Sequence, residues 1–141
     1  MRQIAMALLA LVLMLAPTTP TRAQEAPEAA WQAVITAQIK AFRDKDAEKA
    51  FDYAAESFHL RFADAESFFL AIVGSGYAPI MESESHTFGS FERVGETGVA
   101  QVVDFLGTDQ QLYSALYQLT EEKAGWRVIG VALVKRPGLV T

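Results

Sequence analysis

The second half of the chain constrains the fold most. Four strand-like runs, Glu84 to Val94, Val99 to Leu106, Leu112 to Thr120 and Trp126 to Val134, are separated by Gly95-Glu96-Thr97-Gly98, Gly107-Thr108-Asp109-Gln110 and Glu121-Glu122-Lys123-Ala124-Gly125. A parallel crossover needs about a dozen residues or more, so these short connections force an antiparallel meander. Phe88 and Phe91 are out of step with a period of two, which marks a bulge at Gly89 and a bent strand. In the last run, Trp126, Val128 and Ala132 fall on one side and Ile129, Val131 and Leu133 on the other, with Arg127 the only charge. A strand apolar on both faces asks for a second cover, so a homodimer through the sheet face is expected. The alternative is a sheet that curls enough to bury both faces within one chain.

Ahead of these runs the period is helical. Trp31, Val34, Ile35, Ile39 and Phe42 recur at helical spacing behind Pro27, and Glu28 complements the positive end of the helix dipole. Asp46 is placed to cap a second helix with Ala47, Ala50, Phe51 and Ala54 on one face. Phe58, Leu60 and Phe62 alternate with His59 and Arg61, which reads as a short half-buried strand, a turn of helix being the alternative. Asp64 is placed to cap a third helix carrying Phe68, Phe69, Ile72 and Val73, with Gly74 and Gly76 as a left-handed stop before Tyr77-Ala78-Pro79. Three N-terminal helices packed on a bent antiparallel sheet make an α+β domain.

The first residues address the chain rather than fold it. Arg2, an apolar run from Ile4 to Ala16 and the small-x-small pattern Thr21-Arg22-Ala23 read as a cleavable secretory signal over residues 1–23, with the mature end near Gln24. That run is well short of the roughly twenty residues a membrane-spanning helix needs, so no stable membrane insertion is expected after cleavage. The expected location is periplasmic or secreted. A short acidic leader, 24–28, is expected to be disordered, followed by one domain over 29–136 and a tail at 137–141. Of twelve Lys and Arg, Arg2 and Arg22 leave with the signal, so ten positive residues face seventeen negative ones and the mature charge is near minus seven. Nucleic acid is an unsuitable partner for such a surface. The chain has no cysteine, which excludes disulfides, thiolate chemistry and a lipoprotein anchor.

A set of residues carries a family resemblance: Gln32, Gln38, Ala41-Phe42, Asp46 and Ala50-Phe51, then Phe69, Val73 and Gly76-Tyr77-Ala78-Pro79, then Ala115-Leu116-Tyr117-Gln118-Leu119 and Gly125-Trp126-Arg127-Val128-Ile129-Gly130. In these the chain resembles an exported bacterial family of unknown function with the cone fold of the nuclear transport factor 2-like (SnoaL-like) superfamily. The resemblance implies a pocket between helices and concave sheet, in which some superfamily relatives place a carboxylate or histidine. It transfers no catalytic residue. Val131 stands where members of the family often carry cysteine, which further disfavours a thiol role.

Several side chains are candidates for chemistry, each with a plain structural alternative. Asp104, on one strand face with Ala100, Val102 and Leu106, would act as a general base if that face lined an apolar pocket, or would be an exposed aspartate near the Gly107 turn. Tyr113 and Tyr117 share a face and would donate to a ligand oxygen, or serve as core rings with a wet tip. Tyr77 would close a pocket mouth or pack its loop, and Arg127 would grip a ligand carboxylate or pair with an acidic neighbour. Glu82, Glu84 and His86 alternate, so an extended backbone would present a metal face, though any solvent-facing strand edge has that period. His59 is expected on the surface. No phosphate loop, nucleophile elbow or cofactor motif occurs, and no cofactor is expected.

The leading expectation is a non-catalytic module that binds a small, largely apolar ligand or an envelope protein through the pocket or the outer sheet face. A proton-transfer enzyme of isomerase, dehydratase or hydrolase type, with Asp104 as base, is the alternative. A third reading is a sheet-mediated dimer whose cone is filled by its own side chains.

Overall fold

A computed structural model describes residues 26–136. The expected signal at 1–23, the first residues of the leader and the tail at 137–141 lie outside the described residues. What is described of the leader is not all irregular, because α1 (Glu28–Arg43) already starts at Glu28. Its buried stripe, Trp31, Ile35, Gln38, Ile39 and Phe42, follows the helical period expected of it. Next come α2 (Ala47–Asp52), α3 (Glu56–Arg61), α4 (Ala65–Val73) and α5 (Ala78–Met81). Both expected caps form: the Asp46 carboxylate accepts from the Lys49 N–H at 3.1 Å, and Asp64 from the Ser67 N–H at 2.7 Å. The Ser67 N–H and hydroxyl also hold the Asp64 carboxyl below its ordinary pKa. Gly76, at φ +89°, supplies the left-handed turn that separates α4 from α5.

Two expectations are corrected in this half. Five helices stand among the described residues, not three. The segment read as a strand, Phe58 to Phe62, is α3 and its C-cap. Phe58 and Phe62 are four apart and therefore share a helix side, whereas Leu60 points away and is 82 % exposed. The extended rung lies earlier: Ala54 bridges Val128 in parallel, the Ala55 N–H donating to the Val128 carbonyl and the Val128 N–H to the Tyr53 carbonyl, each at 2.9 Å.

The strands β1 (Ser85–Val94), β2 (Gly98–Leu106), β3 (Leu112–Glu122) and β4 (Gly125–Lys135) form one antiparallel sheet in the order β1-β2-β3-β4. The meander is therefore as expected, and the chain is α+β. A register shift between Phe88 and Phe91 gives β1 its expected bulge. Gly89 suits the site, since a Cβ would lie a tight 3.2 Å from the Val102 side chain. The bulge turns both Phe88 and Phe91 toward α1, where Phe91 meets Trp31 edge-on at 5.0 Å.

A second bulge corrects the reading of β4. Leu119 pairs with Val128 but Gln118 pairs with Gly130, leaving Ile129 as the extra residue. The strand changes phase at that point. Trp126 and Val128 before it, and Val131 and Leu133 after it, all pack on the helical side, while Ala132 and Val134 turn outward. The alternation of two apolar faces thus becomes largely one buried face within a single chain, and a second cover is not required to explain it.

The core between α1 and the sheet is closed at one end by a polar hub. Gln101, 0 % exposed, accepts from the Trp31 indole N–H at 2.9 Å and from the Gln32 amide at 3.2 Å. Its own amide donates to the Gly89 carbonyl at 3.0 Å and the Ser90 carbonyl at 3.3 Å. One side chain therefore bonds the first helix and satisfies carbonyls that the β1 bulge removes from the ladder. Trp126 abuts Trp31 edge-on at 5.3 Å, and the Arg93 guanidinium lies 5.0 Å over the Trp31 ring.

Candidate functional site

At the other end of α1 the helices part from the sheet and leave a cavity of about 330 Å3. Gln38 and Phe42 reach it from α1, and Tyr117, Val128 and Val131 form its floor on β3 and β4. Phe58 and Phe62 come from α3 and the residue after it; Phe68 and Ile72 come from α4, and Ile80 and Met81 from α5. The local sequence explains the wall: small side chains at Ala50 in α2, Ala54 just after it and Ala65 in α4 let Phe42, Phe51 and Phe68 cluster. Such a lining of aromatic and aliphatic groups with a few polar atoms is the usual make-up of a small-molecule site.

The polar atoms are few and placed at depth. The Gln38 amide donates to the Ala50 carbonyl at 3.1 Å, which fixes the side chain at the cavity wall. The Tyr77 hydroxyl donates to the Val131 carbonyl at 2.8 Å and so ties the loop before α5 to the floor. Tyr117 is 2 % exposed, and no hydrogen bond from its hydroxyl forms among the described residues. No enclosed side-chain polar atom among them lacks a partner, so this hydroxyl is one that opens on the cavity. Burial, with the nearby Tyr77 adding, pushes the Tyr117 phenol above its ordinary pKa. It is a neutral donor throughout the physiological range. At the rim stand the exposed Arg61 and Ser75.

A family model described as Domain of unknown function (DUF4864) matches residues 24–141. The chain belongs to this family. No curated protein matches it. The DUF4864 description assigns no activity, so the chemistry of this member rests on its own side chains.

Of the residues singled out from the sequence, Tyr77 and Tyr117 line the cavity together. Tyr113 does not; its hydroxyl donates to the Asp109 carboxylate at 2.8 Å at the β2–β3 turn, which raises the Tyr113 pKa, while the Gln111 N–H and then the Tyr113 hydroxyl lower that of Asp109. Val99, Gln101, Val103 and Phe105 face the helices, so Asp104 lies on the outer surface, where the Ser114 hydroxyl donates to it and Arg136 approaches to 3.6 Å. It is no part of the cavity wall.

Arg127 donates to the Trp126 carbonyl at 2.7 Å and lies 5.9 Å over the Tyr53 ring, beside a separate surface hollow that includes His59. Glu82, Glu84 and His86 are not brought together, because Glu82 caps α5 with φ −103° and ψ 7° and breaks the extended backbone that a shared face needs. Glu84 accepts from Gln110 at 3.4 Å, and His86 pairs with Thr36 at 3.2 Å. Burial, then the charge of Arg43, lowers the His86 pKa and favours the neutral ring.

Sequence reasoning missed Gln101, Arg61 and the role of Gln38 in the wall. The signal for Gln38 was present: it interrupts the apolar stripe Trp31, Ile35, Phe42 at the spacing of that stripe. Gln101 gave none, since β2 is apolar on both faces and its two polar residues fall one on each.

Proposed function

We propose that this protein is an exported binding module that holds a small, largely apolar ligand between its helices and its sheet. The observation that carries the reading is the cavity of about 330 Å3, apolar along most of its wall and furnished with the Tyr117 hydroxyl, which has no partner among the described residues. An engineered apolar cavity of about 150 Å3 in another protein takes up benzene, so one of roughly twice that size is ample for a small organic molecule. The family match begins at Gln24, the residue expected to follow signal cleavage, which supports export to the periplasm or beyond. The helices ahead of a bulged meander also support kinship with the nuclear transport factor 2-like cone. The proton-transfer alternative gains nothing from this cavity: among the described residues its lining holds no carboxylate and no histidine, and Asp104 stands on the opposite sheet face.

Native mass spectrometry of protein purified from its own host tests the proposal. A retained small molecule is expected in the wild type and absent from Val131→Trp, whose indole fills the floor of the cavity. A folded wild type that carries no adduct and shows no thermal shift with any apolar probe would defeat it.

A second reading concerns the outer sheet face, where Leu112, Leu116, Ile129 and Val134 are exposed. We propose self-association of two copies through these side chains. Light scattering at micromolar concentration decides it: a dimer that Leu116→Glu dissociates supports the reading, and a monomeric wild type removes it.

A further inference from the structure

We infer that the cavity is selective for an aliphatic anion: a ligand whose alkyl chain lies among the phenylalanines and whose carboxylate sits at the rim on Arg61. This rests on the binding role just proposed. Among the described residues, every residue of the lining is uncharged except Arg61. That is contrary to the bias of the chain, in which acidic residues outnumber basic ones by seventeen to twelve.

Arg61 makes no ion pair among the described residues; its guanidinium lies 5.8 Å over the Phe58 ring, and Phe58 is itself part of the wall. The contact orients the cation at the mouth without neutralising it, and leaves the donor fork for a carboxylate. An Arg in the last turn of a helix also complements the helix dipole, but that role needs no cavity beside it. Here the charge, the aromatic ring that holds it and the apolar volume are contiguous. A water takes about 30 Å3 of liquid and a methylene is of similar size, so the cavity accommodates a chain of roughly ten such groups.

The experiment compares head groups on one chain. Decanoate, decanol and decyltrimethylammonium are titrated calorimetrically into the wild type, Arg61→Gln, Arg61→Lys and Val131→Trp, in low-salt buffer near neutral pH. Decanoate is expected to bind about fivefold more tightly than decanol, the scale of an exposed ion pair, and the ammonium more weakly than either. Arg61→Gln should bring decanoate down to the decanol value and leave decanol unchanged, Arg61→Lys should keep part of the gap, and added salt should narrow it. Val131→Trp should abolish binding of all three. Equal affinity for decanoate and decanol in the wild type, or a gap that survives Arg61→Gln, overturns the anion selectivity while leaving the cavity as a binding site. No binding of any of the three by folded wild type overturns both.

Discussion

The two ends of α1 lie over the same sheet and are finished in opposite ways. At Trp31 the packing is closed: the indole N–H is bonded, two aromatic rings meet it edge-on and Gln101 ties the helix to the β1 bulge. Two turns further along, at Gln38 and Phe42, the packing opens on a cavity in which a tyrosine hydroxyl has no partner among the described residues. An end in which every polar atom is satisfied contributes stability and has no capacity left for a ligand. The open end forgoes dispersion contacts and an internal hydrogen bond, and a ligand can restore both.

If the contrast is right, the same kind of substitution should cost far more at one end than at the other. The largest effect is expected for Trp31→Ala, about 4 kcal/mol lost in urea unfolding, a large share of the ~5–15 kcal/mol of an ordinary domain. A loss below about 1 kcal/mol would mean that the closed end is not closed. Gln101→Leu comes next. It keeps the volume but strands the Trp31 N–H and the bulge carbonyls, at about 3 kcal/mol, and should leave ligand binding at the far end intact once the protein is folded.

The smallest effect belongs to Tyr117→Phe. Near neutral pH it should change stability by about 0.5 kcal/mol or less, because the hydroxyl it removes has no partner among the described residues. The difference should emerge in alkali. The folded pKa of Tyr117 is raised above its ordinary 10.0, so its contribution is complete below that pH and declines as the pH rises past it, where the unfolded chain releases the proton first. Wild type should therefore lose stability above about pH 10 with a slope of up to ~1.4 kcal/mol per pH unit, and Tyr117→Phe should flatten that loss. Identical alkaline slopes in the two proteins would place the hydroxyl outside the cavity.

The contrast was only partly legible in the sequence. α1, the two aspartate caps and the meander were, because each rests on a local pattern that the packing does not override. The β1 bulge was too, since Phe88 and Phe91 are separated by polar or small residues that show the phase slipping. The bulge at Ile129 changes phase in the same way, yet in a segment apolar from Val128 to Val134 nothing polar keeps time, and two faces were read where one is buried. α3 misled through Leu60, whose apolar side chain completed a false alternation from an exposed position. A pocket was implied by the resemblance but by no residue pattern, as the cavity is made by separation between six elements, α1, α3, α4, α5, β3 and β4. Two of its tyrosines were nonetheless singled out.

The lone parallel rung between Ala54 and Val128 also bears on how the chain survives before it is finished. β4 is a border strand, and until Tyr53 to Ala55 settle beside it the backbone groups of Val128 are bare and available to any neighbouring molecule. A substitution such as Ala55→Pro, which deletes the N–H of that rung, would leave a template for intermolecular pairing. Its damage would show as aggregation during refolding more than as weakness of the finished molecule.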